Sequence, residues 1–109
     1  MLKNEQSHMA PMSTNLAGGK QSHIVRAYTL VPPNALAEVA SVLHSGASKY
    51  GIDNWKLIPV DDHINHALNH IFLYLAGNEK EDHLSHAATR MMMALELHVE
   101  QLEEHDDDN

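Results

Sequence analysis

Two related runs constrain this chain more than any other feature. His63-Ile-Asn-His66-Ala-Leu-Asn-His70 and His83-Leu-Ser-His86-Ala-Ala-Thr-Arg90 stand twenty positions apart and share the pattern H-x-x-H-A-x-x-(H/R). In a helix, offsets of 0, 3 and 7 fall within roughly 60° of one another, so each run draws one polar line along one helical face. Only Leu75-Ala76-Gly77-Asn78 separates the two periodic segments, enough for a tight helix-helix turn. The two lines are therefore expected to run antiparallel and to face each other. A two-residue turn pairs His70 with His86 and His66 with Arg90, with His83 one turn above.

The remaining composition selects the fold class. At 109 residues the chain is one domain by length, and such a domain buries little more than roughly 60% of its unfolded surface, so a second copy would help it. Hydrophobic residues make up 43% of the chain but aromatic ones only 5%, which suits a core of Leu, Ala, Val and Met between helices. The expected fold is all-α: an antiparallel bundle of about three main helices with an extended N-terminal arm. The expected organisation is a flexible arm over residues 1–17, a helical domain over 18–105 and an acidic tail over 106–109.

Charge and residue usage exclude several partners. A net charge of -8, with seven scattered Lys and Arg, argues against nucleic acid. With no cysteine there is neither a disulfide nor a thiolate site, so any metal falls to His, Asp or Glu, and an intracellular location fits. The longest apolar run, Ile71 to Ala76, is far short of a membrane span, and the N-terminus lacks a signal-peptide layout. Histidine is the outlier, with ten copies.

In chain order, Gly18-Gly19-Lys20 reads as a turn with a weak phosphate-cradling alternative, since the P-loop spacing is missing. Ile24 to Val31 is β-branched enough for a short extended segment that Pro32-Pro33 stops. Asn34 is the expected N-cap of a helix over 35–48, whose stripe is Leu36, Val39, Ala40, Leu43 and Ala47. Glu38 falls off that stripe, either solvated or a ligand for metal or water. The stretch Lys49 to Trp55 gathers a Lys, a Tyr, a Gly and the only Trp, suited to stacking and orienting a planar ligand or to plugging the bundle.

The second helix is expected from Asp61 or Asp62 to Ala76, with Ile64, Ala67, Leu68, Ile71 and Leu75 inward and Gly77 closing it. Asn78 is expected to cap the third, with Glu81 completing a capping box and Glu79, Glu81 and Asp82 in the first turn. Its stripe reads Leu84, Ala88, Met91, Leu95, Val99 and Leu102. Met92, Met93 and Leu97 stand off that stripe and predict a homo-oligomer contact, dimer or tetramer.

The histidine lines are the candidate site. Taken singly, a histidine at the edge of an apolar face is an amphipathic residue with one nitrogen hydrogen-bonded. Five in two matched runs point to a functional polar pocket, in which His66, His70, His83 and His86 are metal-ligand candidates with Glu79, Asp82 and Glu38 as oxygen donors. Arg90 on the same line suits a phosphate.

With these residues in view, the chain resembles the phage family of dATP/dGTP diphosphohydrolase N-terminal domains, relatives of the MazG-like enzymes. The likeness runs in order through Gly18-Gly19-Lys20, Val31-Pro32-Pro33, Ala35 to Ala40, Gly46-Ala47-Ser48-Lys49-Tyr50-Gly51, Asn54-Trp55, Ala67 to His70 and His83-Leu84-Ser85-His86-Ala87, covering about residues 18 to 97. It implies an all-α fold and hydrolysis of a purine deoxynucleoside triphosphate to monophosphate and diphosphate, assisted by Mg²⁺ or Mn²⁺, in the host cytoplasm. By that likeness Glu38, His70 and His86 are the catalytic candidates, Lys49 and Arg90 offset phosphate charge, and Asn54 and Trp55 address the base, with Lys20 a further substrate-binding candidate. Two departures stand out. Asn69 replaces an Arg of the family pattern and Arg90 an Asn, an exchange across facing helices. The acidic E-E-x-x-E motif is missing, leaving either Glu79 and Asp82 or His83 and His86 as ligands. A nucleotide- or metal-binding module without turnover, and a small helical interaction protein, are the competing readings.

Overall fold

Pro32-Pro33 starts the helical part of the chain. Proline at the first helical position has its φ preset and loses no hydrogen bond, because that N–H has no partner in any helix. Helix α1 accordingly runs Pro33–Tyr50 with Pro32 at the cap position, and its first bond is Leu36 N–H to the Pro32 carbonyl at 3.1 Å. Asn34 therefore lies inside the first turn and is not the cap. Gly51 ends α1 with φ 98° and ψ 152°, a conformation open to glycine alone. A 3-10 turn at Asn54–Leu57 follows, and Pro59 sets up helix α2, Val60–Leu75, with Asp61 and Asp62 in the first turn where the helix dipole favours acids. Helix α3 spans His83–Asp107. The computed structural model describes residues 12–107.

The chain divides after Val31. In the first unit, Met12–Thr14 (β1) and Lys20–Ser22 (β2) pair antiparallel, with Met12 opposite Ser22 and Thr14 opposite Lys20. Asn15 Oδ1 closes the hairpin by accepting the N–H groups of Ala17 at 3.0 Å and Gly19 at 2.8 Å. The extended segment expected at Ile24 to Val31 is not formed; that stretch holds a 3-10 turn at Tyr28–Leu30. Strand pairing goes instead to the polar residues flanking an Asx turn, because a hairpin needs a closing turn and Ile24 to Val31 has none. Part of the expected flexible arm, residues 1–11, lies outside the described residues, as do residues 108–109 of the acidic tail. Residues 106–107 continue α3.

The second unit is the three-helix body. Helix α3 is its spine: α2 packs along it most extensively, α1 packs on it too, and the 3-10 turn at Asn54–Leu57 touches it. The all-α reading holds. The joint between α2 and α3 differs from the expected two-residue turn. Gly77, at φ 81°, donates to the Tyr74 carbonyl at 3.0 Å and Asn78 to the Leu73 carbonyl at 3.0 Å, the paired bonds of a Schellman termination. Asn78 is thus spent on ending α2. The cap of α3 is Asp82, whose Oδ1 accepts the Ser85 N–H at 3.3 Å and whose Oδ2 accepts the Ser85 hydroxyl at 2.7 Å.

The faces of the helices also differ from expectation. The buried apolar side chains are Val39, Ala67, Ala87, Ala94 and Leu97, joined by buried His63, His83, Ser85 and Thr89. On α3 the inward residues His83, Ala87, Arg90, Ala94 and Leu97 follow 4-3-4-3 spacing, while Leu84, Met91, Leu95 and Leu102 of the expected stripe are exposed, Leu95 to 57%. Leu97, expected at a subunit contact, is core. On α2, Ile64, Ala67 and Ile71 are covered but Leu68 and Leu75 are exposed, and on α1 so are Leu36 and Ala40. Small side chains explain the phase: alanines at 67, 87 and 94 let α2 and α3 approach closely enough for histidine and arginine to bridge the seam. No helix among the described residues is long and apolar enough to cross a membrane.

Candidate functional site

The α2–α3 seam carries two hydrogen-bonded chains, one heptad apart. At the inner end His63, fully buried, donates from Nε2 to the main-chain carbonyl of Trp55 at 2.9 Å. A carbonyl only accepts, so this bond selects the Nε2–H tautomer and leaves Nδ1 as an acceptor. Arg90 fills it, donating from Nη1 at 3.2 Å. The Trp55 indole stands edge-on to the same imidazole, with ring centroids 6.5 Å apart at 66°.

Seven positions along each helix the arrangement repeats with different chemistry. His83, only 2% exposed, meets Asn78 Oδ1 through Nε2 at 2.8 Å, and its Nδ1 meets Nδ1 of His70 at 2.9 Å. The Asn78 side chain is orientated by accepting the Lys80 N–H at 3.0 Å, so its oxygen faces the imidazole. His83 therefore also takes the Nε2–H tautomer, and His70 donates to it from Nδ1. His86 lies flat against His70, centroids 5.0 Å apart at 23°. Burial first, and then the neighbouring His86, hold His70 below the usual histidine range, with Glu81 opposing. His70 is neutral at pH 7.

Among the described residues, one group of His, Asp and Glu is close enough to share an ion: His70, Glu81 and His83, with ligand atoms all within 4.8 Å of one another. His66, Glu79, Asp82 and His86 are outside it. Asp82 is held below the usual carboxylate range by the Ser85 hydroxyl and then the Ser85 N–H, which is the electrostatic signature of its capping bonds. His66 is exposed and Arg90 bonds His63 in its place, a correction that follows from the longer joint shifting the pairing. Three partners were missed from sequence. Glu81 was read as a capping residue, His63 as part of the pattern only, and Asn78 as a cap. The seven-residue offset linking 63 to 70 and 83 to 90 was the signal that could have found the pairing of His63 with Arg90.

The other candidates lie outside the seam's hydrogen-bonded chains. A cleft of about 230 Å³ is lined by Leu43, Asp53, Trp55, Lys56, Thr89, Met92, Met93 and Glu96. Lys56 Nζ stands 5.6 Å from the Trp55 ring centroid, and Asn54 opens the same turn. Lys49, exposed at the end of α1, lies over the Tyr50 ring at 5.2 Å. Glu38 is exposed on α1, and Lys20 is exposed at the start of β2 in the hairpin unit.

The fold and seam define a helical domain whose interhelical core is polar, built on buried, hydrogen-bonded histidines. Residues 15–108 match the family described as dATP/dGTP diphosphohydrolase, N-terminal, and the chain belongs to that family. No curated protein and no solved structure matches it at a significant level.

Proposed function

We propose that this domain hydrolyses a purine deoxynucleoside triphosphate, dGTP or dATP, to the monophosphate and diphosphate in phage nucleotide metabolism. The family match over nearly the whole chain supports the reaction class. The Arg90–His63–Trp55 chain is the observation that carries the reading at the level of residues. It ties the guanidinium, whose remaining N–H groups suit phosphate oxygens, to the segment that bears the tryptophan. The cleft beside Trp55 is smaller than the roughly 300–1,000 Å³ that encloses a drug-sized ligand, so it suits one part of a nucleotide. In this reading the base stacks at Trp55 and the phosphates lie toward Arg90.

In the reaction, a water oxygen forms the new bond to the α-phosphorus, the α–β bridging bond breaks and diphosphate leaves with the bridging oxygen. His86, held flat against His70, takes the water proton. Magnesium needs near-ideal octahedral oxygen ligands, and the one cluster among the described residues offers two imidazoles and one carboxylate. That donor set does not fit Mg²⁺, which enters this reading as part of the substrate, bound to the triphosphate.

The deciding experiment incubates the full chain with each deoxynucleoside triphosphate and Mg²⁺ or Mn²⁺ and separates the products by phosphate chromatography. Diphosphate from dGTP or dATP is the expected result. No diphosphate from any triphosphate with either ion overturns the reading. The matched family is an N-terminal domain, which favours a second reading, nucleotide binding without turnover; it predicts thermal stabilisation by dGTP or dATP and no product.

A further inference from the structure

The mismatch between the seam and magnesium has a positive counterpart. The geometry points to His70, His83 and Glu81 as a binding site for a borderline divalent transition ion of the Zn²⁺, Co²⁺ or Ni²⁺ class, selected over Mg²⁺, with Asn78 as its positioning residue. This inference rests on the donor set and its orientation and is independent of the hydrolytic reading.

Four observations carry it. The donors are two imidazole nitrogens and one carboxylate, and imidazole suits Zn, Co and Ni while hard Mg²⁺ takes oxygen. The two Nδ1 atoms already lie 2.9 Å apart. Two nitrogens bound at about 2.0–2.1 Å to one such ion stand roughly 2.9–3.4 Å apart across coordination angles of about 90–110°, so little movement is needed. The third is the Asn78 bond to His83 Nε2, the outer-shell hydrogen bond that fixes a ligating histidine's tautomer and aims its lone pair. The fourth is chain placement. Asn78 and Glu81 lie in the joint after α2, His83 opens α3 and His70 sits near the end of α2, so one ion would clasp the joint to both helices.

Binding needs no co-reactant. In the free protein one proton lies between the two Nδ1 atoms, carried by His70. The ion takes both Nδ1 lone pairs, and the His70 proton moves through water to its own Nε2. Glu81 is exposed and offers a carboxylate oxygen to the ion, so one carboxylate partly offsets the ion's charge.

The test uses the full chain stripped with chelator and dialysed, without nucleotide. Zn²⁺, Co²⁺, Ni²⁺, Mn²⁺ and Mg²⁺ are titrated separately by calorimetry and by thermal melting, and Co²⁺ is also followed by visible absorption. The expected result is one saturable Zn²⁺, Co²⁺ or Ni²⁺ per chain, a raised melting temperature, a Co²⁺ absorption band and at least tenfold weaker Mg²⁺ binding. His70→Ala and His83→Ala abolish the band. Glu81→Gln, at an exposed position that leaves the fold intact, weakens binding at least tenfold. Asn78→Ala weakens it about 10–100-fold while keeping the band, as loss of an outer-shell partner does. Circular dichroism of each variant separates lost ligation from lost folding. No saturable binding of these ions, Mg²⁺ binding as tight as theirs, or stoichiometric binding unchanged in Glu81→Gln would overturn the inference. Because no nucleotide is present, failure here leaves the hydrolysis assay unaffected, and the reverse holds.

Discussion

Arg90 donates from Nη1 to Nδ1 of His63 at 3.2 Å across the α2–α3 seam, and this bond lies one heptad from the 2.9 Å contact of His70 with His83. Two antiparallel helices that match at seven-residue intervals keep the same faces together over two turns. The polar pairs thus set the phase in which the helices meet, and the alanines between them set the distance.

Removing Arg90 leaves the His63 Nδ1 lone pair buried without a donor. Arg90→Ala is expected to lower stability by about 1–3 kcal/mol, read as a shifted urea midpoint at unchanged slope. His66→Ala, at the exposed position once paired with Arg90, is expected to stay within about 0.5 kcal/mol. Equal costs for the two substitutions would contradict the pairing.

Ala67 has no exposed surface, so a larger side chain there must push the helices apart. Ala67→Leu is expected to destabilise by about 1–3 kcal/mol. Leu68→Gln, one residue on and at an exposed position, is expected to be near neutral in the same denaturant titration.

The hydrogen bond with Glu100, followed by partial burial and charge repulsion from Glu100, raises Glu96 above the usual carboxylate range. A carboxyl raised in the folded state favours folding while it is protonated and loses that contribution as pH rises through the raised value. Glu96→Gln is therefore expected to raise the melting temperature once the pH lies above that raised value, because it removes the Glu96 charge that Glu100 opposes. Near pH 4, where the parent is already protonated at this position, the two proteins should melt together.

Leu84, Met91, Leu95 and Leu102 expose an apolar stripe along one side of α3, and eighteen positions of helix span roughly 27 Å. Among the described residues the core is thin, with alanines at three of the five buried apolar positions. A second copy of the chain is the expected occupant of this stripe. Light scattering after size exclusion should give a dimer or larger species that Leu95→Glu converts to monomer; a monomer at every concentration would remove this expectation.

Local chemistry was legible in the sequence. Pro32-Pro33 and Gly51 punctuate α1, Gly77 ends α2, and the repeated H-x-x-H-A-x-x-(H/R) lines lie on helices that meet, because caps, breakers and 3.6-residue periodicity act within a few residues of chain. The family resemblance rests on the same ordered local motifs and agrees with the match over residues 15–108. What the tertiary structure decided is which side of each helix faces in. On α3 the larger apolar stripe through Leu84, Met91 and Leu95 lost the core to the smaller residues Ala87 and Ala94, since only small side chains let two backbones come close enough for His63 to meet Arg90 and His70 to meet His83. Periodicity shows that a helix has an apolar side. Which side is buried depends on the partner helix, on the register the joint imposes and on the hydrogen bonds the seam can complete, and those exist only once the chain has folded.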